Sequence, residues 1–217
     1  MRCLLLLLGL LLPQLLRAQF VVFEPGSYVL AGSPTVRHTG QLKLRGNNLL
    51  LVKDEHGTKL KLPVGDVASF RLGGRKYVTA GNFHVKGGLG GADVDNAFVE
   101  QLDSGQVVLL TYKYSVGAGA PMSMGAGGGM SYGGASEFSA YLLSRPGDSR
   151  VTAAQGSFYT GGGKQFREAV RPYLASRPDL VKLLDEKRIS NDNLEAVIHA
   201  LNNNLPFSPP AAVPSSD

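Results

Sequence analysis

The sequence predicts the α+β fold class: an antiparallel β meander or small barrel, followed by a short C-terminal helical segment. Two observations carry this prediction. Polar and apolar residues alternate in short runs between Tyr28 and Thr152, which is the period of half-buried strands. From Phe166 onward the apolar residues recur at helical spacing instead. Strands that precede helices in this way are typical of α+β proteins, in which the helices cover one face or end of the sheet.

The N-terminus has the parts of a secretory signal peptide, over residues 1–18. Arg2 supplies the positive charge, residues 3–16 are largely apolar, and Ala18 offers a small residue for cleavage. The apolar run is too short, and at Pro13 too disrupted, to predict a membrane span. We therefore expect an exported protein, periplasmic or extracellular, with no transmembrane span in the mature chain.

The cysteine content agrees with a bacterial origin for such an exported protein. Cys3 is the only cysteine and lies within the predicted leader. The mature chain would then lack a disulfide, a thiol nucleophile and a cysteine ligand for a metal. Because secreted animal domains of this size usually carry disulfides, their absence favours a bacterial envelope protein.

The β-rich part is predicted to span residues 19–155, with strands in two blocks. Turn residues such as Gly46-Asn47-Asn48 and Asp103-Ser104-Gly105 separate the alternating runs. In the longest run Val108, Leu110 and Tyr112 share one face. The predicted strands of the first block are 41–45, 49–53, 59–62, 67–72 and 76–79, and those of the second are 98–102, 106–114, 138–144 and 150–152.

Three helices are predicted within residues 156–205. The first covers 166–173, and Pro172 is expected to kink or end it. The second is expected to begin at Ser176, with Asp179 as a capping-box partner. Ser190 is predicted to cap the third, which ends at the asparagines 202–204. The proline-rich tail 206–217 is expected to be disordered.

Positive charge is concentrated in the first block of strands. Between Arg37 and Lys86 there are ten Lys/Arg and only three Asp/Glu, whereas the whole chain has a net charge of +5. A basic surface of this kind attracts anionic partners, which outside the cytoplasm are lipid phosphates or acidic polysaccharides rather than nucleic acid. The alternative is a set of solvated strand faces without a partner. The candidate anion-binding residues are Lys43, Arg45, Lys59 and Lys61.

The insertion 116–136 contains eight glycines and every methionine except Met1. Methionine repacks easily, so the segment is a candidate loop for binding an unknown envelope protein. Thioether sulfur also favours Cu(I), which makes a copper site a second interpretation. A low-complexity hairpin extension with no role is the third. The candidate partner-binding residues are Met122, Met124, Met130 and Tyr132, and the copper ligands would be Met122 and Met124.

Other motifs give weaker indications of chemistry. Ser131 stands in a formal match to the serine-hydrolase elbow, which would need a strand before it, a helix after it, and His199 as base. Asp93 and Asp95 follow a glycine-rich run that partly matches a calcium-binding nonapeptide, although a simple turn fits it better. His38, His56 and His84 lack the spacing of zinc ligands. The sequence therefore predicts no catalytic residue beyond the Ser131 alternative, no metal beyond these alternatives, and no cofactor.

Several segments resemble uncharacterised exported β-rich proteins of Gram-negative bacteria. They are residues 62–78, 98–114 and 141–143, together with the last helix and its asparagines. The resemblance implies a β-then-α layout and an envelope location, and it implies no activity. The sequence as a whole predicts a non-enzymatic binding or structural module of the cell envelope. A secreted hydrolase using Ser131 and a methionine-loop copper protein are the alternatives.

Overall fold

The structure, a computed structural model, describes residues 23–54, 56–87, 90–116, 136–148, 150–155 and 163–209. These residues form twelve strands and three α-helices. The strands are β1 (Glu24–Leu30), β2 (Arg37–Arg45), β3 (Leu49–Lys53), β4 (Lys59–Pro63), β5 (Val67–Leu72), β6 (Arg75–Ala80), β7 (Phe83–Gly87), β8 (Gly90–Val94), β9 (Ala97–Asp103), β10 (Val108–Val116), β11 (Ser136–Ser144) and β12 (Thr152–Ala154). The helices are α1 (Lys164–Leu174), α2 (Pro178–Asp185) and α3 (Leu194–Asn202).

Ten of the strands form one antiparallel sheet, so the predicted α+β class with an antiparallel sheet is confirmed. The strand order is β12-β11-β10-β9-β6-β5-β1-β2-β3-β4, and β7 and β8 form a separate hairpin. The strands β1 to β4 are a meander. A 3-10 turn, Val64–Asp66, then returns the chain so that β5 pairs with β1 on its other side.

The main sheet rolls back on itself without closing. Asn47, in the turn between β2 and β3, accepts a hydrogen bond from the main-chain N–H of Phe98 in β9 at 2.6 Å. Its side-chain amide donates to the carbonyl oxygen of Lys113 in β10 at 2.5 Å. Because β1, β5 and β6 lie between β2 and β9 in the sheet order, these contacts require strong curvature. Within the described residues β4 and β12 are still free edges, so the sheet is open and is not the small barrel named as one alternative.

Rolling gives the N-terminal half of the sheet an inner apolar face and an outer face. Phe70 lies stacked on Tyr77 with ring centroids 4.7 Å apart, and Phe98 meets it edge-on at 5.0 Å. The buried side chains of this inner cluster are Tyr28, Leu42, Leu50, Val52, Val67, Phe70, Leu72, Tyr77 and Phe98. Burial of this surface supplies the main driving force for the roll.

The C-terminal half of the sheet is covered on both faces. The helices pack on one face, where Phe166, Leu180 and Leu194 are fully buried with Leu109 and Leu143. The β7–β8 hairpin packs on the other. The apolar residues beneath the hairpin include Val99, Leu110, Ala140 and Leu142. The face shared by Val108, Leu110 and Tyr112, as expected from the sequence, is the one that the hairpin covers.

The helix boundaries confirm some expectations and correct others. Pro172 does not end α1, because the helix continues to Leu174. The second helix does not begin at Ser176, because Arg177 is its N-cap and Pro178 takes the first helical position, which suits proline's fixed φ. Ser190 does form a capping box, with Asn193, at the 3-10 turn that leads into α3.

Three segments differ from the sequence-based expectation, and the first is Glu24–Leu30, which had no predicted strand and forms β1. Phe83–Gly87 and Gly90–Val94 had no predicted strand, and a turn was expected near Asp93; the two segments pair as β7 and β8. Phe207, inside the expected disordered tail, packs against the helical cluster. Among the described residues, no helix has both the length and the apolar character that crossing a bilayer requires.

Candidate anion-binding face

The outer face of the N-terminal half of the sheet carries eight cationic side chains, here called the basic face. Alternation places them opposite the buried residues Leu42, Leu50, Phe70 and Tyr77 of the same strands. Strand β2 contributes three, β4 two, and β3, β5 and β6 one each. The eight residues are Arg37, Lys43, Arg45, Lys53, Lys59, Lys61, Arg71 and Lys76.

The strand register brings the four sequence-predicted anion-binding residues together. Lys43 lies opposite Leu51 of β3, and Leu51 lies opposite Lys61 of β4. Arg45 and Lys59 flank this row on the same face. Adjacent strands lie about 4.8 Å apart, and alternate residues of one strand lie about 6.8 Å apart. The four cations therefore form one continuous patch.

Two pairs of like charges stand directly opposite each other on this face. Lys53 of β3 is in register with Lys59 of β4, and Arg71 of β5 is in register with Lys76 of β6. Directly opposed like charges destabilise a sheet. Folding alone therefore does not account for these two pairs.

Within the described residues, the eight cations also lack counter-charges. No Asp or Glu occupies an outward position of β1 to β6, and none of the eight makes an ion pair or side-chain hydrogen bond within the part of the chain that the structure describes. The other two cations of the same stretch behave differently. Arg75 points to the inner side, 4.0 Å from Glu100, and Lys86 donates to Gln165. The basic face is therefore an open source of positive potential.

The two tyrosines of the inner apolar cluster beneath it are uncharged. Burial raises the pKa of Tyr77, and the nearby charge of Glu100 raises it further. Burial also raises the pKa of Tyr28. Both phenols stay protonated well above neutral pH, so neither adds negative charge beneath the basic face.

Sequence reasoning missed half of the basic face. Lys53 belongs to the ten basic residues counted from the sequence, but it is not among the four predicted anion-binding residues. Its partnership with Lys59 follows from the short turn that joins β3 to β4, and the alternation of each strand could have indicated it. Arg71 and Lys76 join the face because β5 pairs with β1, which no local pattern shows.

A separate polar group joins the last helix to the sheet. Asp103 accepts a hydrogen bond from the main-chain N–H of Ser104 at 2.6 Å and from the Asn202 side chain at 3.2 Å. His199 Nδ1 lies 3.0 Å from its other oxygen. The imidazole therefore pairs with Asp103 of the sheet. These contacts fasten α3 to the β9–β10 turn.

The remaining sequence-predicted site residues fall into two groups. Asp93 lies in β8 and pairs with His84 at 2.8 Å, whereas Asp95 lies in the bend that follows. No group of three His, Cys, Asp or Glu suited to a metal ion occurs among the described residues. The rest lie outside the residues that the structure describes: Met122, Met124, Met130, Ser131 and Tyr132.

Comparison with known proteins adds no relative to this picture. No protein-family model, curated protein or solved structure matches the chain. The functional argument therefore rests on the arrangement of the chain's own residues.

Proposed function

We propose that the protein is an exported binding module of the cell envelope that attaches through its basic face to an anionic surface or polymer. The observation that carries the proposal is the set of eight cations on one face of the sheet that have no ion-pair partner among the described residues. Two pairs of them oppose each other in register. Export, which the leader-like N-terminus supports, would place this face among lipid phosphates and acidic polysaccharides.

An anionic partner would relieve the repulsion between the opposed like charges of the free protein. An anionic group placed between Lys53 and Lys59 turns one unfavourable contact into two favourable ones. The same holds between Arg71 and Lys76. Two such places on one face favour a partner with repeated negative charge over a single small anion.

The four-residue patch predicted from the sequence gives the sharpest test of the proposal. Each Lys or Arg near an anionic membrane surface contributes about 1 kcal/mol to binding. Changing Lys43, Arg45, Lys59 and Lys61 together to Gln should therefore weaken binding by about 4 kcal/mol, which is about a thousandfold. Binding is measured by co-sedimentation with phosphatidylglycerol vesicles and by calorimetric titration with polygalacturonate, each at low and at raised salt.

A matched control removes the same number and types of charge from the helical side. Lys164, Lys182, Lys187 and Arg188 are all exposed there, and their change to Gln alters the net charge equally. The control variant should retain binding to the anionic probe. Equal loss in both variants, or no loss in either, would show that the basic face is not the attachment site.

Export has its own test. Cell fractionation and N-terminal sequencing of the native protein should give an envelope or secreted product that begins after residue 18. Recovery of the uncleaved chain, with Met1 or Arg2 at its start, from the cytosol would remove this part of the proposal.

A further inference from the structure

An open trough with several polar side chains interrupts the basic face beside the Lys53–Lys59 pair. Its volume is about 770 Å³, larger than the clefts of about 470 Å³ beside Tyr114 and about 370 Å³ beside His199. Thr39, Gln41 and Lys53 line it from the sheet, and His56 lines it from the turn between β3 and β4. Its volume lies within the range of small-molecule and saccharide-sized sites.

Two glycines lie beneath the trough. Gly26 of β1 and Gly40 of β2 are directly opposite each other in the register. A Cβ added at Gly40 would lie 2.9 Å from the main-chain oxygen of Lys53, and one added at Gly26 would collide with Leu42. The backbones therefore approach closely on the inner side, which only glycine permits, and the trough lies outside this point.

The lining is suited to a ligand with both hydroxyls and negative charge. Thr39 offers a hydroxyl, Gln41 an amide and Lys53 an ammonium group, and all three are exposed with no side-chain partner among the described residues. Asp54 is the only acid described in the lining. Its Oδ1 already accepts from the main-chain N–H groups of His56 at 2.9 Å and Thr58 at 2.7 Å, which fixes the turn that presents His56.

We infer that the trough binds an anionic sugar unit, so that the partner of the basic face is an acidic polysaccharide. The anionic group lies against Lys53 and His56, and the sugar hydroxyls bond to Thr39 and Gln41. A planar lipid surface would leave the hollow and its hydroxyl and amide groups unused. The inference rests on the proposed function, because the surrounding cations supply the long-range attraction to the polymer.

The test separates sugar recognition from charge. The double variant Thr39→Ala, Gln41→Ala keeps every charge and removes only the neutral hydrogen-bonding groups. Two hydrogen bonds at about 0.7 kcal/mol each correspond to about a tenfold loss of affinity for oligogalacturonate. Affinity for inorganic polyphosphate, which has charge but no sugar, should be unchanged. The matched control is Gln101→Ala, which removes an amide in register with Lys76 and outside the trough.

The outcomes distinguish the two proposals. An equal effect of the double variant on both probes, or no effect on either, overturns the trough as a sugar site while the basic face can still bind polyanions. If the Lys and Arg variants of the basic face also leave both affinities unchanged, the proposed function itself fails. Tighter binding to phosphatidylglycerol vesicles than to oligogalacturonate would identify lipid as the partner and overturn the inference.

Discussion

Reversing the charge of Lys59 should make the free protein more stable and its binding to polyanions weaker. Lys59 is directly opposite Lys53, and no acid of the described residues compensates either ammonium group. Lys59→Glu replaces a repulsive cross-strand pair with an attractive one. A gain in stability together with a loss of binding is expected where a surface is kept for function at the expense of the fold.

The size of both effects follows from the register. Opposed side chains have Cβ atoms about 5 Å apart, and two unit charges at that distance in water interact by about 0.8 kcal/mol. Side-chain mobility reduces this value, so reversal of one charge should stabilise the fold by about 1 kcal/mol at low salt. For a chain of this size that gain raises Tm by about 2–4 °C. Binding loses one cation and gains one anion, which is about 2 kcal/mol or about 30-fold.

Lys61→Glu is the matched control, since it makes the same charge change on the same strand and face. Lys61 lies opposite Leu51 instead of a cation. Thermal unfolding and polygalacturonate binding are measured for both variants at low and at raised salt. The Lys59→Glu variant should have a higher Tm than the Lys61→Glu variant at low salt, and this difference should vanish when salt screens the charges. Both variants should bind polygalacturonate more weakly than the unchanged protein. If Lys59→Glu is no more stable than Lys61→Glu at low salt, the argument from opposed like charges is refuted.

Three further changes test the fold that supports this face. Asn202→Ala removes the side chain that bonds the buried main-chain N–H and carbonyl of Val107, at 2.9 and 2.8 Å. It should lower the free energy of unfolding, measured by urea denaturation, by about 2 kcal/mol. An unchanged urea midpoint would contradict this. Gly26→Ala introduces a collision at the bend of the sheet and should destabilise by about 1–3 kcal/mol, whereas full stability would show that the close approach is not needed. A hydrogen bond from Arg177 lowers the pKa of Asp179 in the folded protein. The ionised carboxylate therefore stabilises the fold at pH values above its unfolded pKa. That stabilisation is lost as the pH falls through the folded pKa. Asp179→Asn should therefore reduce the loss of stability in acid, as measured by urea midpoints at neutral and acid pH; an unaltered acid dependence would refute the linkage.

Local alternation predicts most of the strands and which of their residues share a face. In 41–45 and 59–62 the lysines and arginine alternate with leucines, so four members of the basic face were predictable. The period-two pattern also placed Val108, Leu110 and Tyr112 correctly. These predictions succeed because a half-buried strand must separate its apolar and polar residues.

The remaining features depend on contacts between distant parts of the chain. Arg71 reaches the basic face only because β5 crosses to pair with β1, and the roll of the sheet depends on Asn47 meeting β9 and β10. The β7–β8 hairpin was missed because the glycines at 87–91 outweighed the alternation of Phe83 and Val85 with polar residues. The trough could not be predicted, because its lining comes from β1, β2 and the β3–β4 turn, which only the sheet brings together.

The most direct test of the central claim is a titration of the isotopically labelled protein with oligogalacturonate, followed through its backbone amide NMR signals. The account predicts that the perturbed amides cluster in β2, β3 and β4 and in the β5–β6 hairpin, with the largest shifts at Thr39, Gln41 and Lys53. Perturbations confined to α1, α2 and α3, or spectra that do not change when the ligand is added, would contradict it.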